Sequence, residues 1–148
     1  MNNFDDLFEQ QPPKEAAPRK QEEHKERPKR QWWQIREEKQ RKEAYASLDK
    51  IFGAFAEGNG NMEAYLDVQS RFPFHSARNA LLIGAQCPQA QRVGGYKEWT
   101  AQGIEILEKE KRLPIIILEP GKAYRRDDGS IGQNFYAKEV YDISQTSA

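Results

Sequence analysis

The sequence predicts an α+β domain, N-terminal helices followed by a small antiparallel sheet, carried behind a disordered N-terminal tail. Three observations predict it. Residues 1–30 lack the apolar content of a core, residues 32–102 carry helical spacing with caps and breakers, and residues 104–143 switch to compact or alternating apolar runs separated by turn signals. Helices first and strands second is the order of an α+β chain, not of an alternating parallel fold.

The tail, 1–30, holds Pro12, Pro13, Pro18 and Pro28 and 7 basic against 7 acidic residues; its large apolar residues are Phe4, Leu7 and Phe8. Such a segment cannot bury enough surface to offset its ordering entropy. The cluster Phe4-Asp5-Asp6-Leu7-Phe8 is either an ordinary part of that tail, the preferred reading, or a short acidic-hydrophobic docking motif.

The domain, 31–148, opens with a helix from Trp32 to Glu57 in which Tyr45, Leu48, Ile51, Phe52 and Phe55 recur at three- and four-residue steps and predict one buried face. Arg36 to Lys42 is charged all round and reads as a solvated extension or a partner-facing turn. Trp32 and Trp33 are expected to cap a small core, with base stacking as the alternative. Gly58-Asn59-Gly60-Asn61 is a turn. A second helix is predicted from Met62 to Arg71, with Met62, Tyr65, Leu66 and Val68 inward and Pro73 ending it. Ser76 is the N-cap of a third helix, Ala77 to Gln86, with Ala80, Leu81, Ile83 and Gly84 on apolar faces and Pro88 closing it. A short helix spans Tyr96 to Gln102 before Gly103. Ile104 to Leu107 alternates and predicts a strand. Leu113 to Leu118, with three consecutive isoleucines, predicts a buried strand bounded by Pro120-Gly121. Asp127-Asp128-Gly129-Ser130 is a hairpin-type turn, and Phe135 to Ile143 alternates as the last strand.

The 148 residues carry 23 Lys+Arg and 23 Asp+Glu, a net charge of zero, which excludes a globally polycationic nucleic-acid binder but leaves room for a local basic patch. Hydrophobic residues are 37% and charged residues 31%, against about 45–50% and about 25% in average globular domains; the deficit fits a chain with a part outside the core. No apolar run approaches the roughly 18 residues of a membrane helix, and Met1-Asn2-Asn3-Phe4-Asp5-Asp6 lacks the basic-then-apolar order of a signal peptide. The single cysteine, Cys87, excludes an intramolecular disulfide and a Cys-based zinc cluster. A cytoplasmic setting without membrane contact is expected.

No catalytic motif stands. The histidines are His24 and His75, so there is no His-Glu-x-x-His; a Gly-x-x-x-x-Gly-Lys-Ser/Thr loop and a Gly-x-Ser-x-Gly elbow are also missing. Cys87 with His75 twelve residues upstream reads as a buried helix-end cysteine rather than a nucleophile. The chain is expected to be no enzyme and to need no metal or cofactor.

One stretch carries chemistry. From Arg71 to Arg112 there are 7 basic and 4 acidic residues, whereas residues 44–70 hold Lys50 against Asp49, Glu57, Glu63 and Asp67. Within the basic stretch, Ser76, Arg78 and Asn79 stand at a helix start, where free N–H groups and the dipole favour phosphate. Arg92, Lys97 and the rings of Tyr96 and Trp99 follow, and Gly94-Gly95 is expected to let the backbone approach a ligand. Cations that track a backbone, with aromatics offered to unstacked bases, suit single-stranded nucleic acid; the alternative is a surface patch over core aromatics. The predicted DNA-binding set is therefore Ser76, Arg78, Asn79, Arg92, Tyr96, Lys97 and Trp99. Within it Asn79 is structural or mixed, and Trp99, three residues after Tyr96, leans to the core, which leaves Tyr96 as the better stacking ring.

Four blocks then carry a resemblance: His75 to Ile83, Gln86-Cys87-Pro88-Gln89-Ala90, Val93 to Trp99, and Val140 to Thr146. In this order they resemble the N-terminal domain of ArdC-type antirestriction proteins, over about Asn61 to Thr146, and most closely the versions carried by conjugative elements of Gram-positive bacteria. The family pattern is an aromatic-Ser-x-x-Asn-x-x-Leu-Ile helix start, a Gln-x-Pro-x-Ala-Thr turn, a Gly-aromatic-Lys-x-Trp helix and a terminal Phe-Asp-Val-Ser-Gln-Thr strand. Two positions depart from it: Glu108-Lys109-Glu110-Lys111-Arg112-Leu113-Pro114 replaces a glycine-containing basic loop, and His75 replaces the aromatic before the serine. The resemblance implies a single-stranded-DNA-binding module of a mobile genetic element, linked to antirestriction or conjugative transfer. Relatives of this kind often carry a peptidase-like or primase-type domain afterwards; that role is not carried over to a chain whose sequence ends just after Ser144-Gln145-Thr146. The alternative is a protein-interaction adaptor that keeps the fold and contacts a transfer or restriction protein.

Overall fold

A computed structural model of the chain describes residues 29–148; residues 1–28 of the predicted tail, with its Phe4–Phe8 cluster and its prolines, lie outside them. The elements run α1 (Trp32–Ala56), α2 (Met62–Arg71), α3 (Ala77–Gln86), β1 (Val93–Gly94), α4 (Tyr96–Ala101), β2 (Ile115–Arg125) and β3 (Ile131–Asp142), with a 3-10 turn at Ile143–Gln145. The mixed class is that predicted: helices first, then an antiparallel sheet in the order β1-β3-β2.

The β-branched run Ile115-Ile116-Ile117 forms the buried end of β2, where alternate side chains serve opposite faces. Ile115 and Ile117, with Val140 of β3, meet Val68 of α2, Phe72, and Ala80 and Ile83 of α3. Leu118, Ile116 and Phe135 face the other way, toward Ala44 and Leu48 of α1 and Leu82 of α3. Burying each such aliphatic side chain is worth about 1.5–3 kcal/mol, so this end of the sheet holds the fold together.

The sheet's open edges are closed by side chains. Asn79 donates its amide to the carbonyl of Leu118 at 2.8 Å and accepts the Leu118 N–H at 2.9 Å. Two helical turns later, Gln86 does the same to Ile116, at 2.8 and 2.9 Å. Two amides on one face of α3 thus stand in for a missing strand. On the far side, the Ala137 N–H of β3 donates to the Glu37 carboxylate of α1 at 3.0 Å, and Glu139 takes Gln40 at 2.7 Å and Arg36 at 2.7 Å. An edge satisfied in this way offers no template to another strand.

Several expectations are corrected. The charged turn Arg36–Lys42 is no free extension, because it lies on the β3 edge. Trp32 and Trp33, 72% and 56% exposed, cap no core. On α1 the contact runs through Ala44 and Leu48, while Tyr45 and Phe52 stay exposed; a small residue lets the helix approach the sheet closely, and large ones one step away cannot. On α2, Val68 is buried but Met62 and Leu66 are exposed, with Tyr65 between. Ile104–Leu107 forms no strand: Ile106 makes a single bridge to Thr146. Pro120-Gly121 does not end β2, which continues through a register shift between Pro120 and Ala123. Pro120 follows Ile116 and Leu118 at the outward-facing parity, so its missing N–H costs no ladder bond.

Candidate nucleic-acid interface

α4 is short and is set in place by its own tryptophan. Trp99 is 1% exposed; its indole N–H donates to the Tyr141 carbonyl at 2.9 Å, and its ring packs with Ile106 and Tyr141. A Cβ on Gly94 would stand 3.2 Å from the indole nitrogen, so close packing explains this glycine. Gly94 and Gly95 are both buried, against Trp99, Glu98 and Lys138, so the expected ligand approach along this glycine pair is not what they serve.

Asp142 ties the preceding loop to β3. Its carboxylate accepts the N–H groups of Gln91 and Arg92 at 2.9 and 3.0 Å and both the N–H and hydroxyl of Ser144. Burial pushes its pKa upward, but the Ser144 hydroxyl and the three N–H donors outweigh it and hold the group below the usual carboxylate value.

The seven predicted DNA-binding residues divide by place. Asn79 and Trp99 are in the interior, their polar groups spent on Leu118 and Tyr141, and this corrects their membership of a surface set. Ser76 caps α3 by accepting the Asn79 N–H at 3.2 Å. Arg78 lies half-buried with its guanidinium 4.4 Å above the Phe135 ring. Arg92 is exposed, bonded to Gln102 at 2.9 Å, and covers Trp99 at 5.1 Å. Tyr96 is 56% exposed, and Lys97 is exposed with no ion-pair partner among the described residues.

Among the described residues, no hydrogen bond, ion pair or ring contact joins Arg78 to Arg92, Tyr96 or Lys97. Phe135, under Arg78, shares its parity on β3 with Glu139, which faces α1. Lys138 has the opposite parity and reaches α4 through Glu98 at 3.0 Å. Arg78 therefore stands on the α1 side of the sheet, while α4 lies at the β1 edge, where Trp99 packs on Tyr141 of that same parity and Glu98 meets Lys138 of the other.

Between α4 and the start of α3 runs an ionic bridge. The Lys138 ammonium sits between Glu98 and Glu119, at 3.0 and 3.2 Å; burial opposes its charge, but the two carboxylates prevail and raise its pKa. Glu119 also accepts the Tyr136 hydroxyl at 3.0 Å, which raises that phenol's pKa. His75 lies within the field of this group. Burial lowers its pKa, with Glu119 opposing and Lys138 assisting, so the ring is neutral at pH 7. Burial and then the Asp142 charge push the Cys87 thiol up, so it holds its proton rather than presenting a thiolate. Among the described residues, no three His, Cys, Asp or Glu side chains group to hold a metal ion, and no helix is long and apolar enough to cross a membrane.

The sequence reading passes over the outer half of the β2–β3 hairpin. Residues 121–131 are exposed throughout and carry Lys122, Tyr124, Arg125 and Arg126. The signal was present as basic residues around a tyrosine, but facing cannot be assigned before the register is known.

The chain matches no protein-family model, no curated protein and no solved structure.

Proposed function

We propose that this chain is a non-enzymatic module that binds single-stranded DNA in the cytoplasm, in the service of a mobile genetic element's transfer or its protection from restriction. The observation that carries the reading is the solvent face of α4. It offers an open ring, Tyr96, beside a cation, Lys97, that has no ion-pair partner among the described residues, with Arg92 on the adjoining loop. Unpaired bases supply the faces such a ring stacks on, and the phosphates supply charge for the cations. The link to a mobile element rests on the four sequence blocks that resemble ArdC-type domains. The test is a titration with a fluorescent oligothymidine, single-stranded against duplex, at two salt concentrations. With about 3–5 phosphates engaged, log K falls against log salt with a slope of roughly −2 to −3.5. Duplex binds more weakly. A flat salt response, or a preference for duplex, contradicts the reading.

One observation favours an adaptor instead. Tyr45, Phe52, Met62 and Leu66 of α1 and α2 are 37%, 47%, 53% and 55% exposed, and a groove of about 490 Å³ lined by Ile51, Phe55, Tyr65 and Leu81 opens between α1, α2 and α3. Exposed apolar surface of this kind marks protein contacts. Under that reading the oligonucleotide titration is blank. A dye that fluoresces on apolar surfaces then binds the wild type, and Phe52→Glu and Leu66→Glu abolish its signal.

A further inference from the structure

The outer half of the hairpin presents two tyrosine rings on one face of the sheet. Tyr124 pairs with Gly132 across the strands, and a Cβ on Gly132 would collide with the Tyr124 ring, so the ring lies down over the glycine backbone. Tyr136 rests against Gly121, where an added Cβ would meet its Cδ1 at 3.6 Å. Tyr124 lies opposite its glycine, whereas Tyr136 pairs with Glu119 and only brushes Gly121 of the bulge; both rings keep an open side, at 44% and 41% exposure. Gly132 and Tyr136 have the same parity on β3, so the two rings share a face. Four residues of strand place them about 13 Å apart.

Cations flank the rings. The Arg126 guanidinium stands 5.7 Å from the Tyr124 ring centre, and among the described residues its shortest hydrogen bond is the 3.4 Å one to Ser130. Lys122 is exposed in the bulge between the rings and has no ion-pair partner among the described residues. The acids nearby are already engaged: Glu119 with Lys138 and Tyr136, and Asp128 with the N–H and hydroxyl of Ser130. Asp127 marks the outer limit at the turn. This face continues through Lys138 to Glu98 of α4.

We infer that Tyr124 and Tyr136 form the principal base-stacking platform for single-stranded DNA, with Lys122 and Arg126 as its phosphate contacts. This rests on the single-stranded-DNA reading and deepens it by placing the stacking surface on the hairpin. A ring laid flat on a glycine has given up its freedom before the ligand arrives, and preorganisation of that kind raises affinity. The rings read no base identity, so the platform tolerates any sequence. A duplex, whose bases are stacked on one another, gains little from it. When a base takes the outer side of Tyr124, the Arg126 guanidinium moves from the ring to a phosphate.

The experiment measures binding of a labelled twelve-residue oligothymidine to the full chain and to variants. Tyr124→Ala and Tyr136→Ala are each expected to weaken binding about 5- to 100-fold, the worth of one base–aromatic stack. Tyr124→Phe and Tyr136→Phe should bind as the wild type does, because stacking needs the ring and not the hydroxyl. Gly132→Ala keeps every ligand group but lifts the Tyr124 ring, and it should weaken binding as Tyr124→Ala does. Lys122→Ala and Arg126→Ala should each make the salt slope shallower by about 0.7. Near-ultraviolet circular dichroism of Trp99 reports on the fold. Should an alanine variant lose that signal, Tyr124→Leu and Tyr136→Leu fill the same space without a π-face and give the same comparison. If the wild type binds and the tyrosine variants bind equally well, the platform is overturned while the function stands. If the wild type does not bind the oligonucleotide at all, both fall.

Discussion

The inner and outer halves of the β2–β3 hairpin are built from the same pair of strands and are treated in opposite ways. At the inner half, Ile115 to Leu118 and Ala137 to Tyr141 are covered by helices on both faces, and side-chain amides and a carboxylate fill the hydrogen bonds of the open edges. At the outer half, residues 121–131 are exposed throughout. Stability is concentrated where apolar side chains are buried between the strands and the helices. Surface available to a partner is concentrated in the exposed outer half.

The strongest way to break the inner half is Trp99→Ala. Removing this buried ring should cost about 3–5 kcal/mol, read as a lower urea midpoint at unchanged slope; a small effect would mean that α4 is not anchored through its indole. Asn79→Ala comes next. It strands the N–H and carbonyl of Leu118, at about 1–3 kcal/mol for each group left without a partner, and Asn79→Asp should not rescue it, since a carboxylate cannot donate. Equal stability of the two variants and the wild type would remove the edge-closing role.

Acid gives a graded probe of the same half. Asp142 has a folded pKa below its ordinary 3.8, so its contribution is present above that value and lost as pH falls through 3.8 and lower. His75 has a folded pKa below 6.5, so the unfolded chain takes the proton first and stability declines as pH falls below 6.5. Asp142→Asn should flatten the lower step and His75→Gln the upper one in a series of thermal melts. Loss of stability as pH rises through 6.5 would reverse the assigned sign for His75. The smallest effect is expected for Lys97→Ala on the exposed side of α4, within about 0.5 kcal/mol, with a measurable loss of oligonucleotide affinity.

Much of the inner half was legible in the sequence. Pro73 ends α2 and Ser76 and Pro88 bracket α3 because caps and breakers act locally, and the isoleucine run marks β2 because few other elements want it. The faces were less legible. α1 touches the sheet through Ala44, which no count of large apolar residues selects, so Tyr45 and Phe52 were assigned inward and stand outward. Asn79 and Gln86, seven apart, are visibly on one helix face. Their partners, Leu118 and Ile116, lie 39 and 30 residues away, and no local pattern joins them. The outer hairpin was illegible for a similar reason: Tyr124 and Gly132 have meaning together only once a bulge at Pro120–Ala123 sets the register.

The central claim is that the uncovered half of the hairpin and the α4 surface meet an unpaired DNA strand while the helix-covered half only supports them. Titrating the isotope-labelled full chain with a twelve-residue oligothymidine and following each backbone amide by NMR tests it most directly. The account predicts shifts concentrated at residues 121–136 and at Tyr96 and Lys97, with the amides of Ile116 and Leu118 and those of α2 unmoved. Shifts confined to α1 and α2, or no shifts at all at saturating oligonucleotide, would contradict it.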